Sequence, residues 1–148
     1  PLHLQAIARA MRELSALQTL QHATGAVHAA AWCSQSGEIN LLREDVGRHN
    51  ALDKLIGGMA ATHLAENSSG FIVVTSRASF EMVQKTIAAG VPLLAAVSAP
   101  TSLAISTAQA AQLALVGFAR SDDMVVYAHP ERLALETWSA SSVCKSTI

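Results

Sequence analysis

After Leu4, the apolar residues Ile7, Met11, Leu14 and Leu17 recur at steps of three and four, with Arg9, Arg12 and Glu13 between them. That spacing predicts an amphipathic helix from Leu4 to near Gln21. The pattern then changes: residues 26–32 and 38–42 read as two short strands, and Ser34-Gln35-Ser36-Gly37 between them supplies a turn in which Gly37 is free to take positive φ. This is a hairpin. Arg43-Glu44-Asp45-Val46-Gly47-Arg48-His49-Asn50 reads as a polar, charged loop, and Ala51, Leu52, Leu55, Ile56 and Met59 follow at helical spacing, stopped by Gly57-Gly58 or a little later.

The second half alternates differently. Phe71-Ile72-Val73-Val74 is a continuous apolar run of the kind buried on both faces, and it gives way at Thr75-Ser76-Arg77-Ala78-Ser79 to a helical pattern through Phe80, Val83 and Ile87, closed by Gly90. The same unit repeats: a strand over 93–97, a loop over 98–102, and an alanine-rich helix over 103–112 whose cap is Thr101 or Ser102. Strands over 113–118 and 124–127 flank a polar turn over 119–123, before His129-Pro130. Helices between strands require right-handed crossovers and a mostly parallel sheet covered on both faces, with the opening hairpin as an antiparallel edge. The expected fold is α/β, a three-layer α/β/α sandwich. It occupies residues 1–135 as a single domain, with a Ser/Thr-rich tail over 136–148, and Asn67-Ser68-Ser69-Gly70 is its one linker-like stretch.

Composition narrows the function class. At 51% hydrophobic and 14% charged, with four prolines, the 148 residues exclude a mainly disordered or collagen-like chain. The longest apolar stretch, 91–103, is broken by Pro92, Ser98, Pro100 and Thr101, so no membrane-spanning helix fits. Ten Lys and Arg against eleven Asp and Glu, with no block of like charge, give a nucleic-acid surface little electrostatic support and favour a small-molecule or protein partner. Cys33 and Cys144 lie far apart without a CxxC or zinc-site spacing, which suits a reducing cytoplasm and offers neither a disulfide framework nor a structural metal. An opening at Pro1, with no methionine and no leader, points to a processed product or an excised domain whose upstream part is missing.

In open α/β sheets ligands bind outside the carboxyl ends of the strands, where three polar loops should converge here. Ser76, Arg77 and Ser79 combine hydroxyls, a guanidinium and a helix start, a donor set for an anionic oxygen such as phosphate, although the glycines and Lys-Ser/Thr pair of a Walker A loop are absent. The alternative is an N-cap serine beside a solvated arginine. Ser98 and Thr101 add a second hydroxyl-rich helix start. In residues 43–50, His49 or Asp45 can be imagined accepting a proton, against a surface ion-pair network with Gly47 at a tight turn. His28 reads as a hydrogen-bonded core histidine, and Cys33 as a plain thiol with no activating neighbour in sequence.

Five blocks carry a resemblance. His28-Ala29-Ala30-Ala31-Trp32, Arg43 through Lys54, Ser76-Arg77-Ala78-Ser79-Phe80-Glu81-Met82-Val83-Gln84-Lys85, Ala96-Val97-Ser98-Ala99-Pro100-Thr101 and Tyr127-Ala128-His129-Pro130-Glu131-Arg132 occur in an order that resembles the C-terminal region of the formate dehydrogenase accessory sulfurtransferases, the FdhD/NarQ family. The resemblance implies a cytidine-deaminase-like α/β/α fold. It also implies a sulfurtransferase that takes sulfur from a cysteine desulfurase and passes it to the bis-molybdopterin guanine dinucleotide cofactor for a formate dehydrogenase apoprotein, as a cytoplasmic homodimer. GDP would be a partial mimic of that cofactor.

The family's cofactor-binding stretch falls on Phe118, Ala119, Arg120, Ser121, Asp122 and Asp123. Aspartates at 122 and 123 depart from the glycine and basic residue often found there, which leaves Arg120 as the phosphate donor of that stretch. The family's sulfur-carrying CxxC belongs to its N-terminal portion and has no counterpart here, so no catalytic residue is expected in this chain and Cys33 does not inherit the role. The H-x-E and P-C-x-x-C of zinc deaminases are also missing, because His28 is followed by two alanines, and deamination is excluded. The alternative function is a non-catalytic module binding a guanine nucleotide or the apoprotein.

Overall fold

The computed structural model describes residues 2–20, 27–62, 69–119, 124–134 and 145–146. Its elements in chain order are β1 (Leu2–His3), α1 (Leu4–Leu20), β2 (His28–Cys33), β3 (Ile39–Asp45), α2 (Arg48–Thr62), β4 (Phe71–Val74), α3 (Phe80–Ala88), β5 (Leu93–Ala96), α4 (Ser102–Ala110), β6 (Ala114–Gly117), β7 (Val125–Ala128), a 3-10 turn (Pro130–Arg132), β8 (Leu133–Ala134) and β9 (Lys145–Ser146). Seven strands form one sheet in the order β3-β2-β4-β5-β6-β7-β9, while β1 and β8 make a separate parallel ribbon.

The expected sandwich is present, but the sheet is mixed. It is parallel across β4, β5 and β6 and between β7 and β9, and antiparallel at β2–β3, β2–β4 and β6–β7. The departure from a mostly parallel sheet arises because β2 inserts beside β4 in the reverse direction and β7 returns directly after β6, so neither contact requires a helical crossover. The expected hairpin is the β2–β3 pair, with β3 at the edge.

Side chains alternate across the sheet with period two. Ala29, Ala31, Cys33, Phe71, Val73, Leu93, Ala95, Ala114 and Val116 pack against the apolar stripe of α1, formed by Leu4, Ile7, Met11 and Leu14. Ala30, Trp32, Ile72, Val74, Leu94, Ala96 and Leu115 face the other helices through Leu52, Leu55, Met59, Met82 and Val83. The crossovers β4-α3-β5 and β5-α4-β6 advance in one direction across the sheet, with α3 and α4 on one face and α1 on the opposite one.

Several boundaries differ from the sequence reading. The charged stretch 43–50 is mostly ordered structure, because β3 continues through Asp45, which pairs with His28, and α2 begins at Arg48, leaving Val46 and Gly47 between them. An edge strand turns its charged side chains partly to water, so a polar composition does not end it. Helix α2 also runs through Gly57-Gly58 to Thr62. Gly58 serves a close approach: a Cβ there would lie 3.0 Å from Leu41 Cδ2 and 3.3 Å from an Arg43 guanidinium nitrogen on β3. Lys145 and Ser146, within the tail, pair with Val125 and Val126 of β7.

Candidate functional site

Parallel strands β4, β5 and β6 deliver their following loops to one edge of the sheet. Ser79 ends the first loop as the N-cap of α3, its Oγ accepting from the Met82 N–H at 3.4 Å, and Thr101 caps α4 by accepting from Ala104 N–H at 3.1 Å. Thr101, of the two candidate caps, therefore ends the second loop. The loops are tied together: Thr101 N–H donates to Ala78 O at 3.1 Å, Val97 N–H to Val74 O at 3.1 Å, and Ala119 N–H to Ala96 O at 3.0 Å.

Arg77 stands exposed above this join. Its Nε donates to Ala99 O at 3.2 Å, which fixes the side chain across the two loops and leaves its terminal nitrogens without a hydrogen bond among the described residues. A guanidinium held in this way, beside the amino ends of α3 and α4, presents donors and positive potential to an anion. Ser76 instead turns inward: it is 5% exposed, and its Oγ donates to Arg77 O and lies 3.9 Å from Met82 sulfur. Ser98 is exposed at the same edge.

Phe118 follows β6 with φ of 53° and remains 41% exposed, an unusual conformation for a bulky residue and an aromatic face left at the loop cluster. Ala119 is buried behind it. Arg120, Ser121, Asp122 and Asp123 lie outside the described residues.

Because β2 runs against β4 and β3 against β2, the start of β2 and the end of β3 reach the same edge, and α2 begins there. Thr75 Oγ1 accepts from Ala29 N–H at 2.9 Å and lies 3.5 Å from His28 Nδ1. His28 is thus hydrogen-bonded as expected, but it stands half-buried at the loop edge and not in the core, because it opens β2 where the strand enters the sheet. His49 Nε2 lies 3.1 Å from Ser79 Oγ and 3.7 Å from Glu81 Oε2, joining α2 to the cap of α3. Asp45 anchors the turn before α2. Its carboxylate accepts from Lys54 Nζ at 2.7 Å and from Gly47 N–H at 3.0 Å, contacts that hold its pKa down at about 2.

Within 43–50 the tight turn is confined to Val46 and Gly47, and Asp45 at the end of β3 is ion-paired to Lys54 as a fixed, ionised acceptor. Thr75, His49 and Glu81 join the loop cluster without having been singled out together. Their signal lies in strand direction, which spacing along the chain does not encode. Among the described residues no three His, Cys, Asp or Glu side chains group as metal ligands.

Cys33 stands at the other end of β2, paired with Phe71 at the start of β4, and is wholly buried. Burial, reinforced by the negative charge of Glu13, pushes its thiol up to about 12. A thiol that stays protonated and screened is a poor nucleophile. At neutral pH, iodoacetamide is expected to leave Cys33 unmodified in the folded chain and to alkylate it after unfolding in guanidinium. Peptide mapping separates it from Cys144, and alkylation of native Cys33 at the rate of a free thiol would sink the assignment.

The FdhD/NarQ family pattern matches residues 1–134. The chain belongs to the FdhD/NarQ family. It is 66% identical over 132 residues to the sulfur carrier protein FdhD of Variovorax paradoxus (strain S110), covering 89% of this chain and 47% of that protein. With the sulfur carrier protein FdhD of Bordetella parapertussis (strain 12822 / ATCC BAA-587 / NCTC 13253) it shares 59% identity over 128 residues, 86% of this chain and 46% of the relative. The chain thus spans about half the length of the curated FdhD proteins it matches.

The crystal structure of a formate dehydrogenase accessory protein from Desulfotalea psychrophila superimposes with a TM-score of 0.80 at 30% identity, over 90% of this chain and 59% of that one. A mutant of NE0047 in complex with 8-azaguanine shares the fold, with a TM-score of 0.61 at 14% identity, over 82% of each chain. No helix among the described residues is long and apolar enough to cross a membrane.

Proposed function

We propose that this chain is the cofactor-holding portion of an FdhD-type sulfur carrier. A cysteine elsewhere in the complete protein accepts sulfur from a cysteine desulfurase, and this portion orients the bis-molybdopterin guanine dinucleotide that receives it, on behalf of a formate dehydrogenase apoprotein. The reading includes a cytidine-deaminase-like descent for the fold, a homodimer and a cytoplasmic location. It is supported above all by Arg77, whose guanidinium is fixed through Ala99 O across the join of two loops while its terminal nitrogens stay open to an anion.

The residues fit the chemistry of the group. Pyrophosphate calls for fixed cationic and N–H donors, which Arg77 and the amino ends of α3 and α4 supply. Guanine calls for an aromatic face and hydrogen-bonding groups, a role this reading assigns to exposed Phe118 and Ser98. When bound, the cofactor supplies the molybdenum centre that takes up sulfur. This chain's part is to hold the phosphates and fix the orientation. His49 and Asp45 stiffen the floor of the site, the first by joining α2 to Ser79 and the second by pinning the turn before α2.

GDP carries the phosphates and the base without the metal, so it tests the site directly. Calorimetry is expected to show GDP binding to the chain, weakened in Arg77→Ala by about 1.5–3 kcal/mol, the size of a charge-assisted hydrogen bond. Arg9→Ala, on α1 and away from the loops, should leave the affinity unchanged. Equal affinities for the wild type and Arg77→Ala would remove the phosphate role from this loop.

A further inference from the structure

Two cavities of about 410 and 340 Å³ lie at the edge of the sheet opposite the cofactor loops, and they share Gln35 as a wall. The first is floored by Leu2, Pro92 and Leu93 and flanked by Glu131 and Arg132. The second lies against α1, where Arg9 and Arg12 line it beside Gln5. The wall between them is rigid. In the turn joining β2 and β3, Gly37 N–H donates to Ser34 O at 2.9 Å, Ser34 N–H to Glu38 O at 2.8 Å, and Glu38 N–H to Ser34 Oγ at 3.1 Å. Gly37, at φ of +91°, lets the turn approach α1 so closely that a Cβ there would fall 2.3 Å from Ala6 O, and Arg9 Nη1 donates across to Ser36 O at 3.3 Å.

Charge along this groove is one-sided. Glu131 is the only carboxylate among the described residues that line it, and it accepts from His129 Nδ1 at 2.7 Å, which keeps its pKa below the ordinary carboxylate range. Glu13 is likewise occupied by Arg9 at 3.3 Å. The guanidinium groups of Arg12 and Arg132 make no hydrogen bond among the described residues, although Arg132 lies within the electrostatic reach of Glu131, and the side-chain amide of exposed Gln35 between the cavities makes none either. In a chain of net charge -1, three arginines against one lining carboxylate make a local excess of positive charge along an apolar floor, only part of it offset by Glu131 and Glu13.

We propose that this groove docks an extended acidic polypeptide segment of a partner protein. The segment's apolar side chains rest on Leu2, Pro92 and Leu93, its carboxylates meet Arg12 and Arg132, and its backbone passes the amide of Gln35. Apolar contact at the floor with charge complementarity at the flanks is the usual division of labour in peptide recognition. The site is independent of the cofactor reading, because it occupies the other edge of the sheet and shares no residue with the loops. A carrier built this way holds its small molecule at one edge and its protein partner at the other.

The test uses the 148-residue chain and a fluorescein-labelled peptide, acetyl-Glu-Leu-Glu-Glu-Leu-Glu-amide, followed by fluorescence anisotropy. Arg12→Glu/Arg132→Glu is expected to weaken binding at least tenfold without changing the melting temperature. The same peptide with serine in place of both leucines should bind at least fivefold more weakly to the wild type. Undiminished binding to the charge-reversed variant would overturn the proposal, and so would equal binding of the serine peptide, which would leave only a diffuse anion site. Sedimentation that shows a dimer abolished by Arg12→Glu/Arg132→Glu would overturn it too, by making a second copy the occupant. If that variant does not fold, the single substitution Gln35→Glu in the wild-type chain replaces it, with weaker binding expected and undiminished binding again decisive against docking.

Discussion

Trp32→Ala is expected to destabilise the protein by about 3–5 kcal/mol, the cost of deleting a large buried aromatic side chain from a core that collapses only partly. The side chain is 1% exposed and lies in the layer formed by α2, α3 and α4 with Leu52, Leu55, Met59 and Leu94. Against a total folding stability of roughly 5–15 kcal/mol, that is a large fraction. Urea denaturation followed by circular dichroism measures it. A loss below about 1 kcal/mol would mean that these helices do not close over β2, and the floor under His28 and His49 would have to be redrawn.

Phe71→Ala strikes the opposite layer. The ring is wholly buried between β4 and the stripe of α1, and its loss should also cost about 3–5 kcal/mol. A second readout distinguishes this layer. Phe71 is the register partner of Cys33, and both project to the α1 face, so the cavity opens beside the thiol. Native Cys33 should then become alkylated faster in Phe71→Ala than in Trp32→Ala. The reverse ranking, or no gain in either, would contradict the assignment of the two residues to opposite faces.

The two cores explain why the site is held where it is. Strands β4 and β5 are buried on both faces, so the loops that follow them leave a scaffold with little freedom, and the bonds from Thr101 to Ala78 and from Ala119 to Ala96 carry that rigidity into the loops. Arg77 is then positioned by one hydrogen bond to Ala99 O, while its terminal nitrogens face outward. Prior ordering of this kind reduces the entropy lost when a ligand binds. Buried Cys33 belongs to the scaffold.

The sequence by itself determined what is local. The three- and four-residue recurrence of Leu4, Ile7, Met11 and Leu14 marked α1, the apolar run 71–74 marked a strand buried on both faces, and Ser79 and Thr101 stood where caps are needed. The five blocks that resemble the FdhD/NarQ family likewise needed no coordinates. Strand direction and neighbour order were not legible, because period-two alternation is the same whichever way a strand runs.

Tertiary structure decided that β2 lies antiparallel to β4, and only this brings His28 to Thr75 and, with the start of α2, His49 to Ser79. It decided that the charged residues 43–45 continue an edge strand, since pairing with β2 on one side suffices while the other side meets water. It also joined Leu2 to Leu133 across almost the whole length of the chain and set Arg12 near Gln35, at the end of the sheet opposite the loops that follow β4, β5 and β6. Contacts between residues so far apart in sequence depend on how layers stack to bury both faces of the sheet, and no window of neighbouring residues contains that information.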